Sequence, residues 1–363
     1  MTPRRRSSVD YSGVEAQLRA IERDGGDGEL SFGRGATLSV SSLGKTFFPA
    51  AGITKGDLMR YYTRVAPVLL PVIEDRALVL KRYPDGVKGS MFFQQNAGEH
   101  VPDVVRVETL DTADLGEKPR IIGGDLPTLL YTVQLGAIEV HPWLSRVDQV
   151  ATPDWCLIDL DPGDDVPFSQ VAALAREVTR IAEASGLTVA LKTSGASGIH
   201  VVLPLPPRTS YETSAALALQ LAEAVVAANP ERATLERGVK ARPKGSIYVD
   251  AQQNARGKSM AAPYSVRAKP AATVSAPLRA RELTSRLRIG AFTVKSMPAR
   301  LARTGDLWGD AIATRPSART LTRAMATLQD ASAAAPPRRE GTRRSRVGGA
   351  HAGPASRRRA RRA

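Results

Sequence analysis

The run Trp155-Cys156-Leu157-Ile158-Asp159-Leu160-Asp161-Pro162 decides how the rest of this chain is read. It is apolar up to its first aspartate, which predicts a buried strand, and it closes on two carboxylates with one residue between them. Strand side chains alternate between faces, so Asp159 and Asp161 are expected to point the same way. Two carboxylates forced together repel unless a cation sits between them, and oxygen donors of this kind suit Mg²⁺ or Mn²⁺. A solvated strand end is the plain alternative for an isolated Asp-x-Asp. Two later stretches tip the balance. Lys192-Thr193-Ser194-Gly195-Ala196-Ser197-Gly198-Ile199-His200 follows a second predicted strand, and Ser246-Ile247-Tyr248-Val249-Asp250 closes a third. A carboxylate pair, a Ser/Gly loop carrying a histidine and a third carboxylate together make a site for metal and triphosphate.

Working outward, the pattern predicts a helix from about Phe168 to Ala184 ended by Gly186, a strand Leu187–Lys192, a return strand Ile199–Leu203 and a helix Tyr211–Ala228. Upstream, Thr54 starts a helix with Asp57 completing a capping box, and Leu58, Tyr61, Tyr62, Val65 and Val68 form its apolar stripe. Lys45 and Lys55 flank that helix start. Leu78–Arg82 and Met91–Gln94 read as strands, with Pro84-Asp85-Gly86 as a turn between them. Adjacent Phe92 and Phe93 fall on opposite faces, so one can be core while the other is exposed for base stacking, although two buried phenylalanines are the default reading. Asp125 and Pro127 open a helix that runs to Gly136, and the strand Ala137–Trp143 delivers His141. Hairpins mixed with helices give an α+β class with mixed and antiparallel sheets. No P-loop motif is present, and no clustered Cys and His suggest zinc.

The chain has 363 residues, 42% of them apolar, enough for a sizeable core. Its single cysteine, Cys156, excludes an internal disulfide, fits a reducing compartment and reads as core packing. No apolar run is long enough to span a bilayer and no secretory h-region follows the basic start, so a cytoplasmic, nucleoid-associated protein without membrane partners is expected. The net charge is +15, and ten Arg against one Glu lie between Ala331 and Ala363. Residues 1–35 read as a weakly ordered basic arm with one short helix, Val14–Ile21. Residues 36–312 form the catalytic domain, and 313–363 a partly helical, then disordered, Arg-rich tail that attracts phosphate backbones.

At this point the residues carry a resemblance. In order, Lys45-Thr46-Phe47-Phe48-Pro49, Lys81-Arg82-Tyr83-Pro84-Asp85-Gly86, Phe92-Phe93, Glu139-Val140-His141-Pro142-Trp143, Asp159-Leu160-Asp161-Pro162, Thr193-Ser194-Gly195 to His200, Tyr248-Val249-Asp250 and Ala262-Pro263-Tyr264-Ser265-Val266-Arg267 resemble the polymerase domain of bacterial ligase D. That domain belongs to the archaeo-eukaryotic primase superfamily, acts in non-homologous end joining, and is matched here from about residue 38 to 310. The resemblance implies a primase-polymerase fold around a metal-carboxylate cleft. It implies that Asp159, Asp161 and Asp250 hold two divalent ions, Mn²⁺ or Mg²⁺. Lys81, Ser194, His200, Arg242 and Arg267 would bind the triphosphate, with His141 near the incoming sugar. Lys45 and Lys55 would clasp the 5′-phosphate at a gap, and Phe92 and Phe93 would stack on template bases.

One departure stands out. The family usually has a lysine shortly before its Gly-x-His, and Ser197 stands there instead, which weakens triphosphate binding unless Lys192 or Lys258 compensates. No Lys-x-Asp-Gly of a nucleotidyl-transferring ligase occurs, so a separate ATP-dependent ligase and a Ku-type end-binding protein are the implied partners, beside gapped or broken DNA and nucleoside triphosphates. The expected function is template-dependent addition of ribo- or deoxyribonucleotides during break repair. A primase acting de novo and a weakened DNA-end scaffold remain as alternatives.

Overall fold

The computed structural model describes residues 10–112 and 116–333. Helix α1 (Ser12–Arg23) leads into strands β1 (Gly28–Ser31) and β2 (Thr37–Val40), which pair antiparallel with Leu30 opposite Leu38. The expectation of a weakly ordered arm over residues 1–35 is therefore corrected from residue 10 onward. Val14, Leu18, Leu30 and Leu38 are buried in the main core, and Glu15 and Glu22 accept ion pairs from Arg64 and Arg60. A short amphipathic segment became structured because a second apolar surface was there to receive it. Residues 1–9 lie outside the described part.

Strands β3 (Thr46–Phe48) and β4 (Ile53–Thr54) form a small hairpin that ends at α2 (Lys55–Ile73). The predicted capping box is present: Thr54 Oγ1 accepts from the Asp57 amide at 3.1 Å, and Asp57 Oδ2 accepts from the Thr54 amide at 3.0 Å. Strands β5 (Leu78–Arg82), β6 (Phe92–Gln94), β7 (Val107–Thr112) and β8 (Gly116–Ile121), helix α3 (Leu126–Gln134) and strand β9 (Ala137–Pro142) follow. β6, β5 and β9 make a three-stranded antiparallel sheet, while β7 and β8 form a separate hairpin. Phe92 and Phe93 are both exposed, at 44% and 57%, so the expectation that one belongs to the core is corrected. β6 is a three-residue edge strand, and neither of its faces is covered enough to bury a phenyl ring.

The aspartate run is strand β10 (Trp155–Pro162), followed by α4 (Phe168–Ala184), β11 (Ala190–Thr193), β12 (Ile199–Pro204), α5 (Tyr211–Ala228), β13 (Ala233–Thr234), β14 (Ile247–Asp250) and β15 (Pro277–Leu278). They form a six-stranded sheet in the order β13-β14-β10-β12-β11-β15, antiparallel except for β13 beside β14. Helices α4 and α5 pack on β10 and β12. Residues 155–158 and 160 of β10 are fully covered, which is why its first half is a continuous apolar run. Cys156 lies in this core, where burial pushes its thiol up to about 12; it is packing, not a nucleophile.

Helices α6 (Met297–Thr304), α7 (Leu307–Ile312) and α8 (Ala318–Ala333) complete the described chain. α8 is the helical part expected after residue 313. Leu321, Ala324 and Leu328 recur on its face toward α5 and are buried in the common core. The Arg-rich segment beyond it, residues 334–363, lies outside the described part. Two buried tyrosines tie α2 to the last third of the chain and to β9: Tyr61 donates to the Tyr264 carbonyl and Tyr62 to the Ile138 carbonyl, both at 2.7 Å. Among the described residues no helix is long and apolar enough to cross a membrane.

Candidate active site

A cleft of about 270 Å³ opens between the two larger sheets, with Asp159, Asp161, Ser194, Ser197, His200, His141 and Arg267 on its walls. Pairing delivers the carboxylates as the alternation of β10 predicts. Asp159 stands opposite His200 of β12 on one side and opposite Asp250 of β14 on the other. Because β14 pairs only with the second half of β10, Leu157 lacks a sheet partner there. The Asn254 side chain replaces one, accepting from the Leu157 amide at 2.8 Å and donating to its carbonyl at 2.7 Å. That clamp holds the strand carrying the aspartates, and nothing in the sequence pattern marked Asn254.

Burial, with Asp161 and Asp250 nearby, pushes the Asp159 carboxyl up to about 7. Burial and like charge outweigh the opposing pull of Lys192 and Arg267. The other two aspartates are engaged by the protein: Asp161 Oδ2 accepts from Arg242 at 3.0 Å, and Asp250 accepts from the Gln252 amide at 2.7 Å and from Gln253 at 3.1 Å. Among the described residues, no three His, Cys, Asp or Glu side chains are gathered tightly enough to hold a metal ion. The donor set fits a hard divalent cation in chemistry, with carboxylates only and one of them short of positive charge.

The Ser/Gly loop is built around one hydroxyl. Ser194 Oγ accepts from the amides of Ala196, Ser197 and Gly198 at 3.1, 3.2 and 2.9 Å, which leaves its own hydrogen free to donate into the cleft. Gly198 passes so near β10 that a Cβ there would sit 2.1 Å from the Leu160 carbonyl oxygen, so only glycine fits. Arg267 closes the loop from the other side, donating to the Ser194 carbonyl and, through Nε at 2.9 Å, to Glu139.

Glu139 is the functional residue that the sequence reading quoted without a role. It is 2% exposed and collects Arg267, the Ala268 amide at 3.1 Å, His141 Nε2 at 3.0 Å and Lys81 Nζ at 3.4 Å. Hydrogen bonds and cations there hold its carboxyl well below the usual carboxylate range despite its burial. Its position two residues before His141 on a strand was the available signal, since i and i+2 share a face. Burial lowers the proton affinity of His141 against the pull of Glu139, to which its Nε2 donates. The structure thus brings Lys81, His141 and Arg267 together on one buried carboxylate.

Of the two lysines expected to stand in for the one missing at Ser197, Lys192 is turned to other partners. Lys192 is fully buried behind His200, with Nζ 2.7 Å from His200 Nδ1 and 2.9 Å from Ser275 Oγ, and Lys258 is exposed. On its other nitrogen, His200 Nε2 lies 3.4 Å from Asp159. Arg242 stacks on Tyr248 with 4.5 Å to the ring centroid while it holds Asp161.

A second pocket, about 180 Å³, lies at the start of α2 and is lined by Ser42, Lys45, Lys55, Arg82 and Gln134 among others. Lys55 is 5% exposed and donates to the Ser41 carbonyl at 2.9 Å; burial, then the charge of Lys45, pulls its ammonium down to about 8. Lys45 pairs with Asp85 at 2.8 Å. The sequence reading had both lysines here but not Arg82, which projects from β5 with Arg82 Nε donating to the Leu135 carbonyl at 2.6 Å. Phe92 and Phe93 extend from the same sheet, each beside a cation: Arg82 lies 4.9 Å from the Phe92 ring and Lys81 5.9 Å from that of Phe93.

Residues 54–308 match the family described as LigD, primase-polymerase domain. The chain is 31% identical over 283 residues to the multifunctional non-homologous end joining protein LigD of Pseudomonas aeruginosa, a match covering 77% of this chain and 33% of that protein. It is 34% identical over 269 residues to the bifunctional non-homologous end joining protein LigD of Bacillus subtilis, covering 74% and 43% respectively. The chain therefore spans less than half the length of these curated relatives. Among solved structures, the polymerase domain from Mycobacterium tuberculosis ligase D in complex with DNA aligns with a TM-score of 0.71 at 30% identity, covering 77% of this chain and 99% of that one. Its motifs, its fold and the match over residues 54–308 agree: this chain belongs to the LigD primase-polymerase domain family.

Proposed function

We propose that this protein is a divalent-metal-dependent nucleotidyltransferase that adds ribo- or deoxyribonucleotides to DNA at gaps and broken ends in non-homologous end joining. The observation that carries the reading is the cleft itself, where a carboxylate raised to about 7 faces a loop hydroxyl, an arginine and two histidines whose proton affinity burial lowers. Such a wall attracts a metal-bound polyanion and little else. Asp159, Asp161 and Asp250 are the proposed ligands of two Mn²⁺ or Mg²⁺ ions, which when bound would neutralise the triphosphate and ease deprotonation of the primer 3′-OH. Ser194 and His200 donate to phosphate oxygens, and Arg267, fixed by Glu139, adds charge beside them. His141, oriented by the same glutamate, lies where the sugar enters. The 3′-oxygen then bonds to the α-phosphorus as the bond to the bridging oxygen breaks and pyrophosphate leaves.

The lysine pocket is proposed to hold the 5′-phosphate across the gap, and Phe92 and Phe93 to stack on template bases. A separate ATP-dependent ligase and a Ku-type end-binding protein are the proposed partners. Primer extension on a gapped duplex, with Mn²⁺ or Mg²⁺ and each nucleotide type, tests this directly. Templated addition is the expected result. Failure with both metals and all nucleotides overturns the proposal, and synthesis from two free nucleotides without a primer reassigns it to a primase.

A further inference from the structure

Lys192 is a lysine where a lysine is expensive: 0% exposed, in the middle of a sheet, with no carboxylate within hydrogen-bonding reach. Its surroundings explain its retention. β11 places it opposite His200 of β12, and Nζ lies 2.7 Å from His200 Nδ1 and 2.9 Å from Ser275 Oγ. The Ser275 hydroxyl already gives its hydrogen to the Thr193 carbonyl at 2.9 Å, so toward Lys192 it accepts. An amine supplies both bonds whether it carries two hydrogens or three. If Nδ1 accepts, the ring proton must sit on Nε2, the nitrogen that faces Asp159 and the cleft.

We propose that Lys192 is a positioning residue, holding His200 as the Nε2–H tautomer so that a neutral imidazole presents a donor to an anionic oxygen in the cleft. The role concerns orientation, not charge, since Lys192 does not line the cleft. It also explains how the loop functions with Ser197 where a lysine is usual: the donor behind the loop is kept in the correct tautomer in place of a cation on it. The part of this inference that concerns nucleotide rests on the function proposed above; the tautomer does not.

Long-range ¹⁵N–¹H spectra of the ring nitrogens in the full chain, without nucleotide, read the tautomer of His200 directly. The Nε2–H form is expected in the parent and is expected to be lost or mixed in Lys192→Met, whose side chain is similar in length and supplies no hydrogen. ATP affinity, measured by calorimetry with Mn²⁺, should fall about tenfold in the same variant. An Nδ1–H parent, an unchanged tautomer in K192M, or a changed tautomer with unchanged ATP affinity each overturns the proposal. If the parent itself binds no ATP, the functional reading fails while the tautomer result stands. Should K192M not fold, the parent spectrum still decides the tautomer, and Ser275→Ala, which removes the other acceptor, provides the variant.

Discussion

The aspartate cleft and the lysine pocket carry opposite charge, and the same physics has disturbed both. In the cleft, burial beside like charges raises Asp159 to about 7; in the pocket, burial beside Lys45 lowers Lys55 to about 8. Each group has moved toward its neutral form, as charges do when taken from water without full compensation. Glu139 is the contrast within the same molecule. It is more deeply buried than either, yet its carboxyl lies well below the usual range because Arg267, His141 and the Ala268 amide satisfy it. A buried charge with its partners at hand is architecture. The two groups without full compensation are the ones at which the proposed function places a ligand of opposite sign, a cation in the cleft and a phosphate in the pocket.

The largest expected effect falls on the cleft. Asp159→Ala or Asp161→Ala should reduce nucleotide addition by roughly 10³-fold or more, the rate equivalent of several kcal/mol of metal-borne charge stabilisation. Affinity for gapped DNA should stay close to that of the parent. Robust extension by Asp161→Ala in a primer assay would break the two-ion assignment and leave Asp161 as no more than the partner of Arg242.

The next effect separates specific from general attraction to phosphate. Removing residues 331–363, with ten of the chain's arginines, should leave extension chemistry intact and make the slope of log affinity against log salt shallower. Four engaged arginines alone would change that slope by about 3 to 4. Equal slopes in full-length and shortened chains would assign the tail to solubility or to a protein partner. Lys45→Ala with Lys55→Ala should do the reverse, lowering the preference for phosphorylated over unphosphorylated gaps about tenfold while barely moving the salt slope. Competition binding that returns the parental ratio would remove the pocket from the contrast.

The legibility of these regions differed for a physical reason. β10, α2 and α5 were readable because an unbroken apolar run, a capping box and a helical stripe are local signals, and the structure keeps Tyr211–Ala228 and Phe168–Ala184 with the expected ends. Asp159, Ser194 and His200 were readable because an Asp-x-Asp strand end and a Ser/Gly loop closing on a histidine are also local patterns. What could not be read was contact between distant segments. Glu139 acquires its role from Arg267, Asn254 from Leu157, and Lys192 from His200 and Ser275. α1 and α8 were expected as helices, but their packing was not, since their apolar faces make sense only once α2 and α5 lie against them. The exposure of both Phe92 and Phe93 turned on β6 being an edge, a fact of sheet order that alternation does not contain.

The smallest expected effect is on stability, and it tests the comparison most directly because the two regions should have opposite pH windows. Asp159 binds its proton more tightly folded, at about 7, than its ordinary value of 3.8. Between those values the folded state holds the extra proton, so its contribution is present at low pH and is lost as pH rises toward 7. Lys55 binds its proton less tightly folded, at about 8, than its ordinary value of 10.5. Between those values the unfolded state holds the extra proton, so stability rises with pH across that interval. Each contribution should be on the order of 2 kcal/mol; the Asp159 side chain is still 30% exposed, which keeps its share modest. Metal-free denaturant titrations from pH 4 to 10 measure both. Asp159→Asn should flatten the acid window alone, and Lys55→Met the alkaline one alone. Saturating Mn²⁺ should erase the first window without touching the second, because a cation at the carboxylates removes the reason for Asp159 to hold its proton. If Mn²⁺ leaves the acid window unchanged, the raised proton affinity of Asp159 belongs to the fold and not to an ion site.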